Sequence, residues 1–395
     1  MSEVFHKAGW VMMSPLVWLR RGVVGIKKGL ITYVGPYKAS QHKKVWDHGP
    51  GVIMPALVNA HTHLGLCMLK GKIDTGRGFL EWVKDLVFKR GLFSRSETEE
   101  ALRKGVKETL DTGTGLVAEV GDLEPSRSVL EASALDTILF QEVLGHNPEP
   151  NFILAQKGKI TLSLAGHALH TTSPQTLMAL KELTRKAQRP FSIHLAESFL
   201  ETEFLLTGKG EWAELLEARG IDFSLLGPLG QRPIDRALSL DLLDSRTIAV
   251  HLLDVTEKDV EILAKTRTKV VICPRSNLAL HGKLPDIHLF LKYGIEPAIG
   301  TDSLASCPTL NMFNEMAFVA KNFPNISPQL IFNMATRNGA IALGRNDMGT
   351  MAKGNLAKLI YVHVEENKSE DVMRRILAGE NMNIKRVDAE FSPTQ

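Results

Sequence analysis

The chain is poor in cysteine. Its 395 residues hold three, Cys67, Cys273 and Cys307, scattered and odd in number. No Cys-x-x-Cys pair exists, which speaks against a thiolate zinc knot, and the count fits a reducing cytosol better than a disulfide framework. Charge of one sign is also missing: 47 Lys and Arg against 44 Asp and Glu leave a net +3. Such balance points to neither a nucleic-acid nor a membrane partner. No apolar run approaches the ~20 residues that a membrane helix needs. The first residues, Met1 to Lys7, lack the charged-then-apolar order of a signal peptide. A cytoplasmic protein is therefore expected. Internal repeats and low-complexity linkers are absent too. What is there is ordinary globular composition, 44% hydrophobic and 23% charged, with length for a large core.

The pattern along the chain alternates. Strand candidates lie near 52–60, 114–120, 137–145, 160–166, 191–196, 247–252, 269–273 and 296–300. Helical patterns lie between them, among them Glu97 to Thr112, Ser173 to Gln188 and Glu257 to Lys265. Eight strands alternating with helices predict an α/β fold, a (β/α)8 TIM barrel over residues 51–345. The first 50 residues read as short β segments with turns, Lys28-Gly29 being a hairpin candidate. Met348 to Val362 has the same character. Residues 1–50 and 346–395 are expected to pair into one small β-sandwich domain.

Four apolar, strand-like runs end in side chains that can hold a metal or carry a proton. Val52 to Ala60 leads to His61-Thr62-His63, and residues i and i+2 of a strand leave on the same side. Two imidazoles placed so can grip one ion. The run at 191 ends in His194, with Glu197 three residues on. The run at 247 ends in His251, and the run at 296 leads to Asp302. In a barrel of this kind the active site lies at the C-terminal ends of the strands, where all of these fall. His194 reads as a ligand. Glu197 reads as a carboxylate beside the metal water that shuttles a proton without ligating. His251 could ligate or orient the attacking water. Asp302 could be both ligand and general base. The fourth strand end, Ala165 to Pro174, has no lysine to carboxylate as a bridge, so a single metal is predicted. His167 there points to substrate. Arg275, in Cys273-Pro274-Arg275-Ser276-Asn277, could meet an anionic part of a substrate. Phe79 to Arg90 is amphipathic and could form a lid with Trp82 and Arg90 facing substrate.

Four segments carry a resemblance: Pro55 to Leu64, His194 to Ser198, Cys273 to Leu280 and Gly300 to Ser306. On these the chain resembles the amidohydrolase superfamily over essentially its whole length, closest to the branch of amino-heterocycle deaminases and chlorohydrolases. The resemblance implies one divalent ion held by His61, His63, His194 and Asp302. Zinc is expected first, and iron or manganese also suit three histidines and an aspartate. It implies that Glu197 and His251 handle protons. The metal lowers the pKa of bound water, hydroxide attacks the amidine carbon of a ring, Glu197 protonates the ring nitrogen, and ammonia leaves. His167 matches a substrate-contacting histidine of the adenosine-type deaminases.

Two departures bear on substrate. Methylthioadenosine/S-adenosylhomocysteine deaminases usually carry a glutamate after the Trp82 segment. Here the stretch reads Phe88-Lys89-Arg90-Gly91. A usual Pro-Tyr after His167-Ala168 is replaced by Leu169-His170. The cationic replacement looks more like aminodeoxyfutalosine deaminases, whose benzoate would suit Lys89, Arg90 or Arg275. The expected function is hydrolytic deamination of an aminopurine nucleoside, a small molecule, with a homodimer as the commonest assembly. The alternatives are guanine, triazine or another amino- or chloro-heterocycle on the same site and, remotely, a non-catalytic assembly protein.

Overall fold

The apolar runs are strands because their residues are buried on both faces, the condition for a parallel sheet covered by helices. In a computed structural model, which describes residues 2–227, 229–379 and 382–387, eight of them form the barrel. They are β1 (Leu57–Thr62), β2 (Thr114–Gly121), β3 (Asp136–Val143), β4 (Ile160–Ala168), β5 (Phe191–Leu195), β6 (Thr247–His251), β7 (Lys269–Ile272) and β8 (Ala298–Ile299). They pair in chain order, each parallel to the next. This is the expected TIM barrel, with every strand near its expected place.

The ring closes between the last strand and the first. The Asp302 amide donates to the His61 carbonyl at 3.1 Å, and Thr62 bridges Asp302. Asn59 staples the same seam: its Nδ2 donates to Thr301 Oγ1 at 2.7 Å and its Oδ1 accepts from the Thr301 amide at 3.0 Å. A Cβ at Gly300 would lie 2.6 Å from the His61 carbonyl oxygen, so only glycine lets the strands approach this closely.

The expected helices start at their caps. Ser94 and Glu97 make a reciprocal capping box for Arg95–Asp111, and Thr256 and Asp259 make another for Glu257–Thr266. Ser173 caps Pro174–Lys186, with proline in the first turn.

The run 52–60 is not one strand. Val52–Pro55 belongs to a separate sheet, antiparallel to Leu359–Val362 and parallel to Trp10–Ser14. The chain changes sheets at Ala56, whose amide donates to Lys358 O, and Leu57 then pairs with Gly113. Pro55, which has no N–H to continue a ladder, ends the first piece. That five-stranded sheet also holds Val17–Arg20 and Ile384–Val387. A four-stranded sheet of Leu30–Pro36, Gly22–Lys27, Val4–Lys7 and Val45–Asp47 stands beside it. Val11, Ile26, Ile31, Ile53 and Leu359 pack in a shared core. Both chain ends thus build the β layers, as expected. The hairpin turn is where it was placed, with Lys28 at φ 52° and Gly29 at φ 74°. Of the C-terminal piece expected over 346–395, residues 388–395 lie outside the described residues.

Candidate active site

The strand ends of the site are bent. Ala196 (φ 50°), His251 (φ 77°), Leu252 (φ 54°) and Asp302 (φ 59°) all adopt left-handed backbone without being glycine. Such conformations cost free energy and persist where the surrounding structure holds them, commonly at functional sites.

Five side chains converge there. One donor atom each from His61, His63 and Asp302 lie within 4.8 Å of one another, as do one each from His61, His194 and His251. His61 Nε2 and His194 Nε2 are 3.3 Å apart, and His63 Nε2 is 3.7 Å from Asp302 Oδ1. Backbone carbonyls set the tautomers. His63 Nδ1 donates to Val120 O at 2.8 Å and His194 Nδ1 to His167 O at 3.0 Å. Each ring therefore turns the lone pair of Nε2 inward, the arrangement that a metal ligand needs. Burial and the neighbouring imidazoles hold His61 well below its ordinary pKa, which favours its neutral form. Asp302 Oδ2 accepts from Ser276 Oγ at 2.5 Å and Ser306 Oγ at 3.1 Å, leaving Oδ1 toward the histidines. Three imidazoles and one carboxylate oxygen suit a divalent ion.

His251 is different. The Asn277 amide is oriented by Cys273, whose N–H donates to Asn277 Oδ1 at 3.3 Å, so Asn277 Nδ2 donates to His251 Nδ1 at 3.0 Å. Burial lowers the His251 pKa. The neutral ring then carries its proton on Nε2, 3.7 Å from Glu197 Oε1. A nitrogen that bears a proton donates a hydrogen bond and has no lone pair to ligate. Glu197 Oε1 also lies 3.2 Å from His281 Nε2. Burial alone would raise the Glu197 pKa, but the His251 and His281 imidazoles outweigh it and hold the carboxyl well below the usual range.

These groups form one wall of a cavity of about 760 Å³. The opposite walls are apolar: Phe79, Trp82, Val83 and Leu86 from helix Phe79–Arg90, and Trp212, Leu215 and Leu216 from helix Glu211–Ala218. Trp82 stands in the wall, its Nε1 donating to Ala305 O at 3.0 Å. Arg90 reaches the rim, paired with Asp122 at 3.1 Å. His167 lines the cavity with Nδ1 2.7 Å from Thr171 Oγ1. Lys89 turns outward to Asp85. Arg275 does not face the cavity: its guanidinium is 3.9 Å from the fully buried Glu315. The buried acid draws it inward, so the expected meeting with a substrate anion does not fit this placement.

The sequence profile described as "Amidohydrolase family" matches residues 52–387. The chain belongs to the amidohydrolase family. It is 30% identical over 367 residues to a 5-methylthioadenosine/S-adenosylhomocysteine deaminase of Nitratidesulfovibrio vulgaris (strain DP4), covering 86% of this chain and 78% of that one. It is 27% identical over 344 residues to a 5'-deoxyadenosine deaminase of Methanosphaera stadtmanae, covering 81% and 76%. Among solved structures, the Helicobacter pylori aminofutalosine deaminase in complex with methylthio-coformycin superposes with a TM-score of 0.84 at 21% identity, over 97% of this chain and all of that one. This last likeness speaks to the fold.

Several residues of this amidohydrolase site escaped the sequence reading. Ser276 and Asn277 stood only as neighbours of Arg275. His281, Glu142, Trp212 and Arg219 were not singled out. Glu142 ends β3 with Oε1 3.7 Å from His194 Nδ1, and burial raises its pKa. Arg219 stands at the cavity mouth. Spacing held a signal for two of them: Asn277 and His281 are four apart on one helix and therefore share a face. Among the described residues, no helix is long and apolar enough to cross a membrane.

Proposed function

We propose that the protein is a metal-dependent deaminase of an aminopurine nucleoside, replacing the exocyclic amino group of the ring by oxygen from water and releasing ammonia. The observation that carries this reading is Glu197: an anionic carboxylate, able to take up and relay a proton, between the convergent histidines and an apolar cavity sized for a nucleoside with an extension. The relatives named as deaminases of methylthioadenosine, S-adenosylhomocysteine and 5'-deoxyadenosine support the substrate class. Its enzyme class is that of hydrolases acting on C–N bonds other than peptide bonds.

His61, His63, His194 and Asp302 would hold one divalent ion, zinc before iron or manganese. Bound there, the ion supplies Lewis acidity that makes water a nucleophile at neutral pH. The chain supplies the rest. Asp302 Oδ1 faces the attacking side and takes a proton. His251 presents its Nε2–H to the oxygen that adds to the ring carbon. Glu197, anionic at rest, takes the other proton of the water and passes it to the ring nitrogen, and the proton held by Asp302 goes to the amino group, which leaves as ammonia. Trp82 and Phe79 offer aromatic faces to the base, and His167 a polar contact beside it. The apolar wall of Trp212, Leu215 and Leu216 suits a 5'-substituent without charge near the ring, with Arg90 at the rim for an anion farther out. The three cysteines are buried and free, which supports a reducing, cytoplasmic setting. A homodimer is the assembly we expect, and the small β unit from both chain ends is read as scaffold.

The test is an ultraviolet assay on zinc- and iron-loaded protein with adenosine, 5'-deoxyadenosine, methylthioadenosine, S-adenosylhomocysteine and aminodeoxyfutalosine, and guanine as control. Loss of adenine absorbance with matching ammonia for one nucleoside is the expected result. No ammonia from any of them, in protein shown to hold one metal, would overturn the reading.

A further inference from the structure

The short helix Pro274–His281, which follows β7, touches three separate working groups of the site. Ser276 Oγ donates to Asp302 Oδ2 at 2.5 Å, Asn277 Nδ2 to His251 Nδ1 at 3.0 Å, and His281 Nε2 meets Glu197 Oε1 at 3.2 Å. Asn277 and His281 are one turn apart, so a single face of the helix reaches both proton-handling residues. The His281 side chain is 8% exposed and Glu197 15%. Behind His281 stands the cavity wall: its ring lies 4.5 Å from that of Phe79, which in turn stacks 6.0 Å from Trp82 and 6.1 Å from Trp212.

We propose that His281 is a positioning residue, which fixes the Glu197 carboxylate for proton transfer through the Nε2–H···Oε1 hydrogen bond and ties it to the aromatic wall that receives the base. This rests on the deaminase reading above. A carboxylate on a two-torsion stem has many rotamers. Proton transfer needs one oxygen within hydrogen-bond reach of the atom it serves. His251 at 3.7 Å is too far to hold it, whereas His281 is within bonding distance. The carboxylate's second oxygen, Oε2, remains free to take up a proton and pass it on. Because Phe79 rests on the same imidazole, a base that presses on Phe79 and Trp82 also bears on the group that holds Glu197.

Three variants separate hydrogen bonding from packing. His281→Phe keeps an aromatic ring against Phe79 and removes the donor. His281→Gln places an amide N–H where the imidazole Nε2–H was. His281→Ala removes both. In the zinc-loaded enzyme, His281→Phe should lower kcat about tenfold or more, the loss of a hydrogen bond to a charged group, with KM within about threefold. His281→Gln should recover most of kcat, and His281→Ala should lose kcat and raise KM together. Wild-type kcat in His281→Phe, or equal losses in His281→Phe and His281→Gln with unchanged melting temperatures, would overturn the proposal. A readout free of turnover runs beside it: 15N NMR of the histidine rings in zinc-loaded protein. His281 should carry its proton on Nε2, with a resonance that moves in Glu197→Gln, and a resonance indifferent to that substitution would overturn the contact. If the wild type deaminates no nucleoside, the deaminase reading falls, and the NMR result still decides whether His281 holds Glu197.

Discussion

The two walls of the cavity are made in different ways. On one side, His61, His63, His194 and Asp302 leave barrel strands, and all but His61 are hydrogen-bonded to a backbone carbonyl or a hydroxyl from a neighbouring element. On the other side, Phe79–Arg90 and Glu211–Ala218 are surface helices that present aromatic and aliphatic side chains with few directional bonds. Chemistry that depends on tenths of an ångström is carried by the sheet, and recognition of substrate bulk by helices that can vary without disturbing it. Substitutions on the strand side should therefore cost kcat, and those on the helix side KM.

The largest effect is expected at Glu197. Glu197→Gln keeps the shape and removes the proton carrier, so kcat should fall by roughly 10²–10⁴-fold, with close to one metal still bound per chain. Metal analysis beside the ammonia assay checks both parts. Loss of the metal as well would place Glu197 among the ligands and blur the two walls. Ser276→Ala comes next. It takes one of two hydroxyls from Asp302 Oδ2 and should lower activity or zinc affinity about tenfold, measured by titrating zinc into stripped enzyme.

The strand wall was legible in the sequence and the helix wall was not, for a physical reason. His61-Thr62-His63, His194 and Asp302 stand where an apolar run stops, and the period-two geometry of a strand fixes their direction once the run is recognised. Trp212 and Leu215, by contrast, look like any buried face of a helix, and nothing local says that the helix lies over a barrel mouth. Arg275 shows the converse error. Its neighbours Ser276 and Asn277 do serve the site, but the helix turns Arg275 toward Glu315, forty residues on, which no local pattern reveals. The change of sheets at Ala56 was hidden likewise, because the apolar run continues unbroken through it.

The helix wall gives the third test. Trp82→Ala removes an aromatic face from the cavity and should raise KM about tenfold, with kcat within about threefold, by steady-state kinetics on the preferred nucleoside. Arg275→Gln, matched against it, should leave KM within about twofold, since that side chain lies outside the cavity. A large rise in KM for Arg275→Gln would mean that the guanidinium swings into the site during turnover.

The last test lies beneath the strand wall and concerns stability. Glu315 is fully buried, and its ion-pair partner is Arg275 at 3.9 Å. Burial raises its pKa to about 8, against the partial relief that Arg275 gives. In the unfolded chain the group loses its proton near 4.5, while in the folded chain it keeps it until about pH 8. Between those values the folded state binds more protons than the unfolded state, so stability falls as pH rises, by at most about 1.4 kcal/mol per pH unit. Below that window the contribution is fully present, and above about pH 8 it is lost. Glu315→Gln, neutral at every pH, should flatten the decline, so that the melting temperatures of wild type and variant diverge between pH 5 and 8 in the variant's favour. Parallel curves would mean that Glu315 is ionised when folded, held by Arg275, and that the strand wall rests on a buried ion pair.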